Sequence, residues 1–411
     1  MGVRLKDDRR KTKSEELEAS KISDLASHCI RCGFCLESCP TYVETGIEME
    51  SPRGRIYLVR SADEGRIEWE AIREHLDLCL GCRACETACP SGVEYGAIFE
   101  IARQRLEKTK PQSAKHGLLK NISEPGRLKL QLALGKLLPG KKIPGFVSRA
   151  LSGEAPEADR PRAQPRSNWP PLDEAKLPPV KGEVYLLEGC AMRVLFPRVH
   201  EATRRLLRRV GYAIRETSAG CCGALHAHNG YLHEAEAKRS SVLRDHPNSE
   251  LPILVNSAGC GSWLKDGGSG RTQDISVFLH QNGLTRHLEG SKGLEVRLTY
   301  HDACHLAHGQ GVRSEPRELL KTIPNIEFIE LGEADRCCGS AGIYNVLQPK
   351  MAHRLLDRKW RHVQESQAQI VALGNPGCHA WLEQAARETG QKTRVLHTME
   401  VLEASFSGIP G

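Results

Sequence analysis

Residues 29–40 read CIRCGFCLESCP, and residues 79–90 read CLGCRACETACP. Each stretch places four cysteines at the spacing C-x2-C-x2-C-x3-C and follows the last cysteine with proline. Three thiolates on one tight loop can cap three corners of a cubic metal cluster, and the proline helps to turn the chain away. The surrounding sequence lacks strand patterns, and YGAIFEIARQRLEKT after the second stretch is typical of a helix. We therefore expect an α-helical N-terminal domain built around metal-binding loops.

Both runs match the ferredoxin pattern for [4Fe-4S] clusters, in which the fourth cysteine of each run ligates the other cluster. This crossing predicts two ligand sets: Cys29, Cys32, Cys35 and Cys89 for cluster 1, and Cys79, Cys82, Cys85 and Cys39 for cluster 2. A structural zinc site is the alternative, because two C-x2-C pairs also bind zinc. Zinc does not require the further C-x2-C step or the final Cys-Pro. Both features occur twice, which favours the two clusters.

The charge balance is mildly basic, with 58 lysines and arginines against 51 aspartates and glutamates in 411 residues. This excess alone does not indicate nucleic-acid binding, so we expect no nucleic-acid partner. No apolar run is long enough to span a bilayer, and residues 1–20 lack the apolar core of a secretory signal. We expect a cytoplasmic protein, at most peripheral on the inner face of the cytoplasmic membrane. There, 16 cysteines favour metal ligation or redox chemistry over structural disulfides.

The chain is expected to be multidomain. Residues 152–182 are rich in proline and polar residues, which is typical of an extended linker. We expect a two-cluster ferredoxin-type domain over 1–110, a basic helical segment with the linker over 111–182, and two related domains over 183–295 and 296–411. Within the basic segment, residues 126–146 mix leucines with basic residues. That mixture is compatible with a membrane-surface helix, or with docking on the ferredoxin domain or on a partner.

The second half alternates apolar β-type runs with helical stretches, which predicts α/β domains. The apolar runs lie at 184–189, 212–216 and 252–256, and again at 296–304, 326–331 and 369–375. Helices are expected near 198–210, 230–245, 314–322 and 348–366. The cysteines recur in the same order, since Cys190 aligns with Cys304, the pair Cys221 and Cys222 with Cys337 and Cys338, and Cys260 with Cys378. The half is therefore an internal duplication.

These eight recurring cysteines are candidates for an additional metal or redox site. In each repeat two of the positions follow a predicted strand, so several thiols should converge at one edge of a sheet, where α/β folds bind ligands. Buried inert cysteines, a redox-active disulfide and a structural zinc site are the alternatives. Cys337 and Cys338 are badly placed for a mutual disulfide, because adjacent Cα atoms lie too close. We expect Gly339, Ala341 and Gly342 to give the backbone room beside an inorganic centre.

The duplicated half resembles the cysteine-rich, or CCG, domains of heterodisulfide reductase B subunits, whose pattern ends in CxxC and can bind an unusual [4Fe-4S] cluster. The resemblance implies two α/β CCG domains, with a further iron–sulfur cluster in one or both. Ser257 and Asn375 stand where the first cysteine of each terminal CxxC would be. This departure removes the fifth thiolate from both sites and leaves four thiols in each.

The order of two ferredoxin runs, a basic connecting segment and two CCG repeats closely resembles the iron–sulfur subunits of bacterial glycolate oxidase. Matching stretches include HCIRCGFCLESCPTY, SPRGRIYL, CLGCRACETACPSGVEYG, GCCGALHAHNG and RCCGSAGIYNVLQP. The resemblance implies an electron-transfer subunit of a glycolate dehydrogenase. It also implies a flavoprotein partner that carries FAD and oxidises glycolate to glyoxylate, and a membrane acceptor such as the quinone pool.

The sequence contains no G-x-G-x-x-G fingerprint and no P-loop, which places the flavin on the partner, and we assign no catalytic residue. Three alternatives stay open: the corresponding subunit of a lactate or glycerol-3-phosphate dehydrogenase system, a thiol-disulfide reductase, and a zinc-binding scaffold. Four histidines lie close to the spread cysteines and are further candidates for metal ligation or proton transfer. They are His226, His228, His301 and His305.

Overall fold

The computed structural model describes residues 22–130 and 169–408. Its N-terminal part is helical, as the sequence predicts. The helices are α1 (Pro40–Thr45), α2 (Pro52–Asp63), α3 (Arg73–Leu78), α4 (Ala84–Thr87), α5 (Tyr95–Thr109) and α6 (Ser113–Ser123), with 3₁₀ turns at Glu48–Glu50 and Trp69–Ile72. Residues 22–27 and 125–130 are also helical. Residues 131–146 of the expected basic helix and 152–168 of the expected linker lie outside the described residues.

A small apolar core fixes the two cysteine-rich loops against each other. Helix α2 begins at Pro52 and is capped by Ser51, whose hydroxyl accepts a hydrogen bond from the Gly54 amide at 3.0 Å. Ile56 of α2 and Ile98 of α5 are buried in the same core. The core therefore fixes the relative positions of the two cysteine-rich loops, which precede α1 and α4.

The second half contains two four-stranded parallel sheets. The first consists of β1 (Gly182–Leu187), β2 (Tyr212–Arg215), β3 (Ile253–Val255) and β4 (Thr272–Asp274), in the order β2-β1-β3-β4. The second consists of β5 (Val296–Tyr300), β6 (Ile326–Ile329), β7 (Ile370–Leu373) and β8 (Arg394–His397), in the order β6-β5-β7-β8. The identical order agrees with the predicted duplication.

Helices connect the strands in both repeats, as parallel pairing requires. In the first repeat they are α7 (Ala191–Leu195), α8 (Pro197–Arg209), α9 (Ala224–Ala227), α10 (Leu232–Asp245), α11 (Ala258–Asp266), α12 (Ile275–Gln281) and α13 (Leu284–Glu289), after a 3₁₀ turn at Glu174–Lys176. In the second they are α14 (Cys304–Ala307), α15 (Ser314–Lys321), α16 (Tyr344–Leu347), α17 (Pro349–Glu365), α18 (Pro376–Glu388) and α19 (Thr398–Ser407). Within the described ranges, no helix has both the length and the apolar composition needed to cross a bilayer.

The two repeats share one hydrophobic core rather than forming separate bodies. Helix α8 packs on α19, and the carboxylate of Glu403, which is fully buried, accepts hydrogen bonds from Arg205 at 2.7 Å and Arg209 at 2.9 Å. Trp169 is also buried in this core. Within the expected linker, Trp169 therefore contacts helix α8 of the first repeat, whereas none of residues 170–181 is buried.

The glycine of each CCG tripeptide is required by a close approach of two backbones. Gly223 and Gly339 have φ values of +94° and +91°, and a Cβ atom would lie 2.4 Å from the carbonyl oxygen of Ala235 and 2.5 Å from that of Ala352, respectively. The expectation that Gly339 gives room to an inorganic centre is wrong, because the space beside it is taken by helix α17. Gly342 likewise faces the side chain of Leu225, at 2.8 Å from a built Cβ.

Gly339→Ala should lower the free energy of unfolding by about 2–4 kcal/mol, because it combines left-handed strain with a backbone clash. Gly311→Ala is the matched control, since Gly311 has φ +69° and no atom lies within 4 Å of a built Cβ. The control should cost about 1 kcal/mol from strain alone. Thermal unfolding of both variants measures the difference, and equal losses would contradict this account of the tripeptide.

Candidate metal centres

A recess at one end of the N-terminal part collects five of the predicted ligands. Cys29, Cys32 and Cys35 line it from the first run, and Cys85 and Cys89 enter from the second. Cys32 is exposed, and the other three are partly buried. Ile30 and Phe34 flank the loop and are 68% and 71% exposed. This recess therefore contains the predicted ligand set of cluster 1 and opens to the surface, while Cys85 lies between it and the second recess.

A second recess collects the other predicted set. Cys79, Cys82 and Cys85 line it from the second run, and Cys39 enters from the first. All four are buried. Burial, reinforced by neighbouring sulfur atoms, raises the pKa of Cys82 and Cys85 well above the usual thiol value. A metal cation would offset this penalty by neutralising the thiolates, so these residues fit an iron–sulfur cluster.

A buried arginine stands at the second recess, and no motif predicted its role. The Arg55 guanidinium is 1% exposed and lies 3.9 Å from Cys39 Sγ. It pairs with Glu50 at 2.6 Å and donates to the His75 carbonyl at 2.7 Å. The only sequence signal was its place in SPRGRIYL, a stretch quoted for its resemblance alone. Arg55 supplies positive charge beside a sulfur atom that is shielded from water.

Tyr95 connects the two recesses, since it lines both. Its buried hydroxyl donates a hydrogen bond to Cys79 Sγ at 3.4 Å. Burial and the nearby Cys79 sulfur raise the pKa of Tyr95 well above its ordinary value, so the phenol keeps its proton. Tyr95 is therefore a fixed hydrogen-bond donor to a sulfur of the second recess.

In the first repeat the four thiols lie in mutual contact. Cys222 Sγ and Cys260 Sγ are 3.0 Å apart. Hydrogen bonds from Cys190 and Cys222 lower the pKa of Cys221 well below its usual value, and the same contact raises the pKa of Cys190. All sixteen cysteines of the chain are free thiols, so a disulfide does not account for the convergence. Four adjacent sulfur atoms, one of them readily ionised, suit a metal site.

The second repeat has the same arrangement, with Cys337, Cys338 and Cys378 buried and Cys304 partly buried. Hydrogen bonds from Cys337 and Cys378 lower the pKa of Cys338 well below its usual value. Cys337 in turn contacts Cys304, and this contact raises the pKa of Cys337. Lys359 is 2% exposed, and burial lowers its pKa to about 8, although the nearby Cys338 and Cys337 favour its charged form. A buried cation thus lies close to this group of sulfur atoms.

Both sets of four cysteines, one from each repeat, face a single cavity of about 390 Å³ between the repeats. Seven of these eight cysteines line it. The two positions where the terminal CxxC is incomplete meet inside it. Ser257 Oγ donates to Asn375 Oδ1 at 3.4 Å, and Asn375 Nδ2 donates to Cys378 Sγ at 3.5 Å. Cys79 and Leu80 of the N-terminal part also line this cavity. The second recess and the cavity are therefore immediate neighbours.

Two of the four candidate histidines join the N-terminal part to the repeats. His305 Nε2 lies 2.9 Å from the carbonyl oxygen of Gly81, and its ring meets that of His228 at 4.7 Å. Burial lowers the pKa of His305 to about 3, so the ring is neutral and can donate this hydrogen bond. His228 Nδ1 contacts Glu100 at 2.8 Å. These contacts give both residues a structural role at the interface.

The other two histidines are fully buried. His226 has no hydrogen-bond partner on either ring nitrogen among the described residues, and burial lowers its pKa. His301 is grouped with Cys338 and Cys378, and one ligand atom of each lies within 4.8 Å of the others. Of the four candidates, only His301 belongs to a group of three or more metal-ligating residues within the described parts of the chain.

Comparison with known proteins assigns both halves to families. The profile described as "4Fe-4S dicluster domain" matches residues 25–93. The profile described as "Cysteine-rich domain" matches residues 184–265 and 298–383, one match in each repeat. The dicluster match agrees with the predicted pair of [4Fe-4S] clusters, and the repeated match agrees with the predicted duplication.

Three curated proteins illustrate the similarity. The probable glycolate oxidase iron-sulfur subunit of Bacillus subtilis (strain 168) is 32% identical over 91% of this chain and 93% of its own length. The glycolate oxidase iron-sulfur subunit of Escherichia coli (strain K12) is 31% identical over 95% of this chain and 97% of its own length. Lactate utilization protein A of Oceanobacillus iheyensis is 28% identical over 55% of this chain and 98% of its own length.

Tyr95→Phe should lower the reduction potential of one cluster only, because a hydrogen bond to sulfur stabilises the more negative, reduced state. Loss of a neutral hydrogen bond corresponds to roughly 20–60 mV for a one-electron couple. A potentiometric titration followed by EPR measures this shift for each cluster. Tyr57→Phe is the control, because Tyr57 is 45% exposed and its ring faces Arg31 at 5.2 Å. Equal shifts in both variants would contradict the role of the Tyr95 hydroxyl.

Proposed function

Because the chain belongs to the family of glycolate oxidase iron–sulfur subunits, we propose that it is the electron-transfer subunit of a glycolate-oxidising dehydrogenase. In this role it relays electrons from a flavoprotein partner, which carries FAD and converts glycolate to glyoxylate, toward a membrane acceptor such as the quinone pool. The observation that carries the proposal is the juxtaposition of two cysteine-lined recesses with a cavity lined by seven further cysteines.

We assign the two ligand sets as the crossing predicts, cluster 1 to the recess of Cys29, Cys32, Cys35 and Cys89 and cluster 2 to the recess of Cys39, Cys79, Cys82 and Cys85. When bound, an iron–sulfur cluster accepts and releases one electron at a time. The protein residues exclude water from the second recess, donate a hydrogen bond through Tyr95, and supply positive charge through Arg55. The first recess remains accessible to a protein partner through the exposed Cys32.

The proposed domain boundaries remain 1–110, 111–182, 183–295 and 296–411. Two observations support them, since β1 begins at Gly182 and β5 begins at Val296. Helix α6 belongs to the connecting segment, and its Lys115 is buried against Glu107 of α5 at 2.6 Å. Helix α6 is therefore docked on the ferredoxin-type domain, whereas most of the leucine-rich and basic stretch 126–146 lies outside the described residues.

Glycolate is favoured over lactate by the extent of the similarity. Both glycolate oxidase subunits align with more than nine-tenths of this chain, whereas the lactate utilization protein aligns with 55%. A thiol-disulfide reductase is the second candidate, because free thiols of both repeats line one cavity. In that case the cavity itself would be the reaction site, and no flavoprotein would be needed.

Purification of the tagged chain from its host under anaerobic conditions separates these functions. We expect a flavoprotein to copurify and glycolate to bleach the visible iron–sulfur absorbance of the complex faster than lactate does. The isolated chain should show no bleaching with glycolate, because it lacks the flavin. Faster bleaching with lactate would transfer the assignment to lactate oxidation. Disulfide reduction by the isolated chain, with no flavoprotein bound, would replace the proposal with the reductase.

The crossed ligand sets predict an unusual result for Cys39→Ser. Because Cys39 lies in the recess of the second run, its loss should alter the same EPR signal that Cys82→Ser alters. Cys32→Ser is the control and should alter the other signal, since Cys32 lies in the first recess. A Cys39→Ser spectrum that matches Cys32→Ser would contradict the crossing.

A further inference from the structure

We propose that His301 is a metal ligand of the second repeat and that its Nε2 atom supplies the ligand missing at Asn375. The proposal concerns the thiol group of Cys304, Cys337, Cys338 and Cys378, and extends the assignment of iron–sulfur chemistry to this site. It makes the second site a mixed centre of four thiolates and one imidazole. It is independent of which substrate the complex oxidises.

Geometry places His301 within reach of the sulfur atoms. A ring nitrogen of His301 and the Sγ atoms of Cys338 and Cys378 all lie within 4.8 Å of one another. All three residues are buried, and His301 has no exposed surface. The residue follows β5 directly and precedes Cys304 by three positions. The end of this inner strand therefore places Cys304 at the cavity and His301 three residues before it, at the sheet edge where parallel sheets bind ligands.

The tautomer of His301 is the one that metal ligation needs. Its Nδ1 atom lies 3.1 Å from the carbonyl oxygen of Ala334. Because a carbonyl only accepts hydrogen bonds, Nδ1 carries a proton, and in the neutral ring Nε2 then presents a lone pair. Nε2 is buried and has no hydrogen-bond partner among the described residues. A backbone carbonyl that orients one ring nitrogen while the other binds metal is the usual arrangement at metal-bound histidines.

The supporting carbonyl is itself held in place. Ala334 also accepts a hydrogen bond from the buried Lys359 ammonium at 3.2 Å. Lys359 makes a further hydrogen bond to the carbonyl of Glu333. The Lys359 ammonium thus bridges two neighbouring carbonyl groups, and this fixes the carbonyl that positions the His301 ring. The same lysine lies near Cys337 and Cys338, where its positive charge favours the thiolate forms.

Asn375 is already engaged and does not compete for this role. Its amide nitrogen donates to Cys378 Sγ at 3.5 Å, and its amide oxygen accepts hydrogen bonds from Ser257 and from the Gly259 amide, both at 3.4 Å. The side chain therefore holds Cys378 and ties the two repeats together. Asn375 therefore leaves the position of the missing cysteine without a metal ligand of its own, and His301 lies close enough to take that role.

The first repeat has no equivalent of His301. Cys190 aligns with Cys304, so the aligned position is Leu187, an apolar residue that is buried in β1. The two sites therefore differ although their cysteines recur in the same order. Among the described residues, only the second site groups a histidine with two of its cysteines, and a neutral imidazole ligand would stand where the complete CxxC motif supplies a negative thiolate. A centre with fewer negative ligands is easier to reduce, as in clusters with histidine ligands.

Pulsed EPR on the anaerobically purified, partly reduced chain tests the ligand directly. In protein labelled with isotopic nitrogen at histidine, we expect a strongly coupled imidazole nitrogen. The coupling should disappear in His301→Gln and persist in His379→Gln. His379 is the matched control, because it is buried beside Cys378 but its Nε2 lies 3.1 Å from the Val395 carbonyl and its ring stacks on Phe196 at 4.3 Å.

His301→Cys provides a second test that does not depend on the stability of His301→Gln. It should retain the wild-type metal content, because a thiolate can take the same position, and it should lower the reduction potential of one centre by adding negative charge. His301→Gln should lose metal from this site. Persistence of the nitrogen coupling in His301→Gln would overturn the proposal. Wild-type metal content together with wild-type reduction potentials in both variants would also overturn it. Neither outcome depends on glycolate or on a partner subunit.

Discussion

The carboxyl ends of two parallel sheets are held face to face, and every feature of the second half depends on that constraint. The Ala258 amide donates to the Gly374 carbonyl at 3.1 Å, and His397 Nε2 donates to the Asn256 carbonyl at 2.9 Å. Burial lowers the pKa of His397 to about 3, so the ring stays neutral and keeps this bond. Because parallel strands place their following loops at one edge, this docking brings the cysteines of both repeats to a single cavity.

Burying many cysteine sulfur atoms away from water makes their ionised form unfavourable. Few buried positive charges of the protein offset this cost. Burial disfavours thiolates and raises the pKa of Cys82 and Cys85, and a hydrogen bond with Cys338 together with burial raises the pKa of Cys378. The buried Arg55 and Lys359 each stand beside one thiol group. Two cations do not neutralise all these thiolates, so the arrangement is consistent with bound metal as the remaining counter-charge.

The sequence predicts the elements that depend on local patterns. Apolar runs located β1, β5 and β7, and cysteine spacing identified the two recesses because each set lies on short loops. The strands β4 and β8 were missed because all three residues of β4 are polar and β8 begins with arginine and ends with histidine. Contacts between distant segments had no local signal. The Ser257–Asn375 pair spans 118 residues, and Arg55 meets Cys39 only after folding.

The central claim is that the two cysteine runs exchange their fourth ligands, so that both recesses are built from both runs. Anomalous diffraction at the iron edge from anaerobically grown crystals tests this claim most directly. The account predicts one iron centre bonded to Cys89 together with three cysteines of the first run, and another bonded to Cys39 together with three of the second. Zinc at either position, or two runs that each retain all four of their own cysteines, would contradict it.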